Sequence, residues 1–385
     1  MASGPADHVV DVTEVSTRQV WAFQMDQHHL TAREPKSEVE DVIGHLCGLD
    51  ARLDTVAELS LWARTRGLED GTIHQELWPD RALIKTWAMD EAQYFLPASE
   101  YPMWAGAIRS RNQIQQPATG PLRGLGDEIV DSVTTAIGDV LSEATLPIEE
   151  ISKHVRERVS EHPLSALSHA EWRTLLRLAS LEGNLCIVPS QNERQQFTHP
   201  ARWIGELDEV DPQTGREEAT LRYLWTYGPA TADRFAQWMG IPTPDGERWI
   251  QDVGDRTVRV NIDGEYGWLP REAISRVTQA RPQQTVRLLP AFDPYVIGAL
   301  YEPASAIRSD RRTNVVDSNG WVSPTLVVEG ELVGTWTCDR TSDDIEVTVH
   351  PFDPVEPWAR KEAWVEAVRL SEYFDCDLVF NWRPR

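Results

Sequence analysis

Two stretches of this chain run through the same order of sequence patterns, and few folds accommodate such a repeat. Between about Asp127 and Leu207, Ile129, Val133, Ile137, Val140 and Leu141 form one helical stripe, and Ile148, Ile151, Val155 and Val159 form a second. A third, with Trp172, Leu175, Leu176 and Ala179 on its apolar face, opens on Ser168-His-Ala-Glu171, a reciprocal capping pattern, and ends at Gly183. Leu185-Cys-Ile-Val-Pro189 then reads as a strand, and Ser190 to Phe197 as a polar excursion before the chain returns. The order recurs from Thr220: a helix through Trp225, a second capped by Gly228-Pro-Ala-Thr231 and ending near Gly240, and a third over Asp245 to Gly254. Thr257 to Pro270 alternates on both sides of an Asp263-Gly264 turn, a strong hairpin signal. Three helices followed by a hairpin is the winged-helix order, a helix-turn-helix variant with a two-stranded wing.

The remaining sequence frames these two units. Helical spacing begins near Ser16 and recurs to Trp104, with Val39, Val42, Ile43 and Leu46 on one segment, Val56, Leu59, Leu61 and Trp62 on the next, and Leu49 to Asp54 between them; this reads as a diverged third copy. Gln, Gly and Pro dominate 111–125, a composition that favours exposed, irregular linker. From Thr285 the pattern turns to strands, at Val286-Arg-Leu-Leu, Thr325 to Thr337 and Ile345 to His350, before an amphipathic helix from Pro357 to Phe374. The expected fold is α+β and mainly helical: winged helices at 16–110, 126–208 and 215–282, then a small β-rich module with a terminal helix at 285–385. For 385 residues, a prior of roughly 150 per domain also asks for several units.

The formal charge of −24 excludes a generally basic nucleic-acid binder, so any DNA partner must meet a local basic surface. Lysine occurs only at 36, 85, 153 and 361, leaving arginine, the better forked phosphate ligand, as nearly all of the 37 cations. Cys47, Cys186, Cys338 and Cys376 show no zinc-ligand spacing and are expected to be buried thiols. No apolar run approaches the ~18 residues of a membrane span, and no leader pattern opens the chain, so a cytoplasmic monomer is the expectation.

Three strings carry a family resemblance: Tyr227-Gly-Pro-Ala-Thr-Ala-Asp-Arg-Phe-Ala-Gln-Trp-Met-Gly240, Leu288-Leu-Pro-Ala-Phe-Asp-Pro-Tyr-Val-Ile-Gly298 and Val327-Val-Glu-Gly-Glu-Leu-Val-Gly-Thr-Trp336. Together with Leu49-Asp-Ala-Arg-Leu-Asp, Leu59-Ser-Leu-Trp-Ala-Arg64 and Leu83-Ile-Lys-Thr-Trp-Ala-Met89, the chain resembles the tandem winged-helix proteins that include the AlkZ-type and YcaQ-type DNA glycosylases. The resemblance implies winged helices curved around duplex DNA, excision of bulky alkylated purines, and double-stranded, damaged DNA as the partner. Members of these types carry Gln-x-Gln or Gln-x-Asp just before the Leu-Trp-Ala-Arg helix, and here that position reads Asp50-Ala51-Arg52. A second string, Arg-Gly-Thr-x-His in AlkZ-type members, reads Asp90-Glu-Ala-Gln-Tyr94.

Hydrolysis of an N-glycosidic bond needs stabilisation of an oxocarbenium-like sugar and a positioned water, and Asp50 could supply both. Asp54 and Asp90 are candidates to assist it. Arg52 shares a face with Asp50 in extended chain, where it could clamp a phosphate or neutralise the carboxylate. The alternative is a helix-connecting loop in which Asp50 caps the helix around Thr55 and Arg52 is solvated, on a non-enzymatic DNA-binding or interaction protein. Neither reading calls for a metal or a nucleotide cofactor.

For DNA contact, Arg173 and Arg177 lie at i, i+4 spacing on the third helix of the second unit, and its wing offers Gln191, Asn192, Arg194, Gln195, Gln196 and His199. Arg308, Arg311 and Arg312 form the densest basic cluster. The third unit's helix, with Asp245, Glu247, Asp252 and Asp255 against Arg248, is expected to be structural. Trp78, Trp87 and Trp104 could stack on an extruded base, but their apolar neighbours favour core packing.

Overall fold

The computed structural model describes residues 12–77, 80–117, 119–122, 125–159, 162–191, 194–205, 208–301 and 303–384. The first part contains β1 (Thr13–Val15), α1 (Thr17–Gln27), β2 (Glu34–Pro35), α2 (Val39–His45), β3 (Leu49–Asp50), α3 (Asp54–Arg64), β4 (Thr65–Arg66), α4 (Thr72–Leu77), β5 (Leu83–Trp87), β6 (Gln93–Pro97) and α5 (Tyr101–Ile114). The second holds α6 (Asp127–Glu143), α7 (Ile148–Arg158), α8 (His169–Leu181), β7 (Cys186–Gln191), β8 (Arg194–Thr198) and α9 (Pro200–Ile204). The third holds α10 (Pro212–Tyr227), α11 (Ala232–Met239), α12 (Thr243–Asp252), β9 (Thr257–Ile262), β10 (Glu265–Pro270) and α13 (Ile274–Gln279). The last comprises β11 (Val286–Leu289), α14 (Pro294–Ala299), β12 (Thr325–Val328), β13 (Glu331–Arg340), β14 (Asp344–Pro351), α15 (Pro357–Phe374) and β15 (Asp377–Trp382). The fold is therefore mixed α+β.

Helix starts are set by polar side chains that satisfy the amides a helix leaves open. Ser168 accepts from the Glu171 amide while Glu171 reaches back to Ser168, Thr231 accepts from the Arg234 amide, and Asp211 accepts from the amides of Gln213 and Thr214. The β9–β10 hairpin turns at Asp263 and Gly264, both with positive φ.

The sheets join stretches that the sequence patterns treat separately. One five-stranded sheet runs β3-β6-β5-β7-β8, so the hairpin of the second part continues the strands of the first through a Lys85–Ile187 pairing. Likewise β1 lies parallel to β9, with Val15, Val20 and Phe23 packed on Val260, Ile262 and Leu269. The C-terminal sheet runs β11-β12-β13-β14-β15, and β15, which the strand patterns did not include, joins it parallel to β14. Helices α5 and α10 cross so closely that a Cβ on Gly215 would lie 2.5 Å from the Ala107 nitrogen, which is why glycine stands there.

Two expectations require correction. The stretch from Arg111 to Ile114 is the last turn of α5, with Arg111 buried, and Leu122 packs into the core; apolar and ion-pair contacts outweigh the local Gln and Gly content. Cys47 and Cys186 are buried, but Cys338 is exposed on β13 and Cys376 is partly exposed. Trp87 and Trp104 are core residues; Trp78 lies outside the described residues.

Candidate active site

The strings that carry the family resemblance meet in space. Arg64, at the end of α3, donates two parallel hydrogen bonds to Asp293, at 2.7 and 2.8 Å, and neither side chain is reached by solvent. Asp293 also caps α14 by accepting from the Tyr295 amide, and the Tyr295 hydroxyl donates to the Gly330 carbonyl at 2.6 Å. This chain of bonds fixes α3, α14 and the β12–β13 turn against one another, and beside it lies a cavity of about 200 Å³. Its walls include Tyr94, Tyr223, Tyr227, Trp238, Phe292 and Tyr301. Such walls suit a flat, aromatic guest.

Asp50 and Asp90 both line this cavity, as does Arg52. Asp50 occupies its position because β3 pairs with β6, setting Asp50 opposite Tyr94. Alternation along the extended chain then puts Arg52 on the same face. Its Nε lies 3.0 and 2.9 Å from the two Asp50 oxygens, its Nη2 adds a further bond to Oδ2, and its backbone amide donates to Oδ1 at 3.0 Å. The Arg52 guanidinium also covers the Phe292 ring at 4.7 Å. Asp50 therefore caps no helix: α3 begins after Leu53 without a side-chain cap. Asp54 does not line the cavity and instead accepts from Lys85 at 2.6 Å.

Asp90 sits at the β5–β6 turn with φ +46°, and Glu91 follows at +62°, two successive non-glycine residues in the left-handed region. The surroundings hold that turn. Glu91 accepts from Arg111 at 2.8 Å and also from Arg177, while Gly240 at the end of α11 leaves just enough room for the Asp90 backbone, a Cβ there lying 3.2 Å from the Asp90 Cα. Asp90 is wetted but recessed in the concave wall. Desolvation pushes its carboxyl up to about 6; Arg52 and Arg111 oppose the shift and Asp50 adds to it. A carboxyl in that range changes charge close to neutrality, the condition for proton transfer to or from water.

A second concave surface gathers His169 and Arg173 from α8 with Arg194 and Gln195 from β8, beside Trp87 and Phe197. Arg177, one turn beyond Arg173, turns inward to Glu91 and so links this helix to the Asp90 turn. The side chain of Gln191 and the whole of Asn192 lie outside the described residues. The cluster Arg308, Arg311 and Arg312 is not uniformly basic, because Arg308 and Arg311 pair with Asp310 and Asp353. Arg312 instead covers one ring of the cavity wall: its guanidinium lies 4.4 Å from the Tyr301 centroid, and that of Arg234 lies 3.5 Å from the same ring. On the third unit, Asp245 and Asp252 are paired with Arg248 and Arg216.

The aromatic walls, Arg234 and the positive-φ turn were not assigned roles from sequence. Their signal was nonetheless present, since Tyr227, Arg234, Trp238 and Phe292 lie inside the strings that carry the resemblance. Among the described residues, no group of His, Cys, Asp and Glu could hold a metal ion, and no helix is long and apolar enough to cross a membrane.

A family model described as DNA glycosylase AlkZ-like matches residues 43–373. The interstrand DNA cross-link repair glycosylase of Streptomyces sahachiroi is 27% identical over 363 residues, which span 93% of this chain and 96% of that protein. The solved structure of Streptomyces sahachiroi DNA glycosylase AlkZ is similar with a TM-score of 0.84 at 25% identity, over 97% of this chain and 100% of that one.

Proposed function

Because this chain belongs to the AlkZ-like DNA glycosylase family, we propose that it releases bulky alkylated purines from duplex DNA by hydrolysing the N-glycosidic bond, with Asp50 and Asp90 as the acting carboxylates. The family is one of DNA-repair glycosylases, so DNA is the partner. The observation that carries the finer reading is the presence of both carboxylates on the wall of one aromatic cavity. A purine inside the duplex cannot reach such a site and must leave the stack. Once inside, an N7-alkylated purine is cationic, so the Tyr227 and Trp238 rings favour it electrostatically over the unmodified base.

Departure of the neutralised base leaves positive charge on the sugar, which Asp50 stabilises across the bond being broken. Arg52 fixes the Asp50 carboxylate through both oxygens, so little reorganisation is needed as charge develops. Asp90, when ionised, accepts a proton from the attacking water as its oxygen bonds to the sugar carbon. The groove at Arg173, Arg194 and Gln195, together with Arg312, supplies phosphate contacts.

One observation favours a second reading, DNA binding without excision: both Asp50 oxygens are occupied by Arg52. Incubation of N7-alkylguanine duplexes with the protein and with Asp50→Asn separates the two. Abasic product from the wild type, lost in the variant, supports hydrolysis; no product from several bulky adducts, with duplex binding retained, leaves the binder.

A further inference from the structure

Against one residue of the cavity wall, a large apolar side chain stands in water. Trp321 is 46% exposed, on a short loop whose backbone is tied from both sides. Asp317 Oδ1 accepts from the Asn319 and Trp321 amides at 2.7 and 2.9 Å, the Asp317 amide donates to the Trp321 carbonyl at 3.1 Å, and Gly320 closes the turn at φ +80°. Val316 and Val322 bridge the base of the loop. The indole is thus presented by a fixed backbone.

Its position relates it to the site. The Trp321 ring meets Phe292 edge-on, with centroids 4.9 Å apart and planes at 82°, and Phe292 is both a wall of the cavity and the ring under Arg52. One continuous path therefore runs from Asp50 through Arg52 and Phe292 to an exposed tryptophan. The exposed indole is thus one ring away from the wall that a guest base would meet.

We propose that Trp321 enters the duplex beside the extruded nucleotide and stacks in the place it vacates, an interaction that rests on the reading of the cavity as the seat of a flipped purine. Extrusion costs unstacking free energy, and an apolar wedge offsets it. Stacking on an indole suits the role because it is indifferent to sequence, every base having a π-face.

The test uses the full chain and two DNAs carrying one non-hydrolysable 2′-fluoro N7-methylguanine flanked by 2-aminopurine. In the first the lesion is paired; in the second it is unpaired in a one-nucleotide bulge. For Trp321→Ala, affinity for the paired duplex falls roughly ten- to hundredfold, the stacking loss converted to a binding ratio, and the wild-type change in 2-aminopurine fluorescence is lost. Affinity for the bulge, where extrusion costs little, stays within about threefold, and Trp321→Phe restores most of the paired-duplex affinity. Equal loss on both DNAs, no loss on either, or no duplex binding by the wild type overturns the proposal. Since this lesion cannot be hydrolysed, binding reports on Trp321 separately from Asp50 and Asp90, and a wild type that shows the wedge signature but excises nothing contradicts only the hydrolytic reading.

Discussion

Arg64 and Asp293, 229 positions apart in sequence, form a two-bond ion pair that no solvent reaches. It ties the helix that follows Asp50 to the helix that carries the cavity wall. Burial makes this pair valuable only as a pair: each charge loses its water, and only the partner compensates it.

Removing one member therefore destabilises strongly. Arg64→Met or Asp293→Asn is expected to cost about 3–5 kcal/mol in denaturant unfolding. Arg64→Met combined with Asp293→Asn is expected to cost less than the two single changes added together, because no unpaired charge remains.

Asp90 gives a pH-dependent stability of definite sign. Its folded-state value, about 6, lies above the ordinary aspartate value, so its contribution to stability is full below that ordinary value and is lost as pH rises through about 6. Asp90→Asn, which keeps a side chain tolerant of positive φ, is expected to be more stable than the wild type at pH 7 by of order 1 kcal/mol. The full linkage value is not reached because water has access to the carboxyl. Thermal unfolding across pH checks this, and the gain should vanish below about pH 4.

Arg173 and Arg177, one helical turn apart, should separate cleanly in DNA binding. Arg173→Ala and Arg194→Ala are each expected to flatten the slope of log affinity against log salt by about 1, as loss of one phosphate contact does. Arg177 is engaged with Glu91, so Arg177→Ala should leave that slope unchanged and lower stability by about 1–3 kcal/mol, the loss of one of the two arginine bonds that hold the Glu91 carboxylate at the β5–β6 turn. Titration of one duplex at several salt concentrations reads the slopes.

How much of this was legible in sequence depends on the distance over which each feature is determined. The Ser168–Glu171 cap and the Asp263-Gly264 hairpin are local, and both stand where the patterns put them. The meeting of Asp50 and Arg52 follows from the two-residue period of extended chain. The pairing of β5 with β7 does not, because a short strand at Lys85 carries no mark of a partner near Ile187. Asp90 reaches the cavity only through the β3–β6 register and a left-handed turn held by Arg111, Arg177 and Gly240, none of them local to it. Long-range bonds of the same kind engage Arg177 with Glu91, and Arg308 and Arg311 with Asp353, partners that helical spacing and local basic density do not show.

The most direct measurement is single-turnover release of an N7-alkylguanine from duplex DNA as a function of pH, for the wild type, Asp50→Asn and Asp90→Asn. Wild-type release should climb through about pH 6 and then level, as Asp90 ionises. Asp90→Asn should be slower by about 10²–10⁴-fold with that rise abolished, and Asp50→Asn should be slow at every pH. Release by both variants at the wild-type rate, or a wild type that releases no base at any pH, would contradict a hydrolytic site built on these two carboxylates.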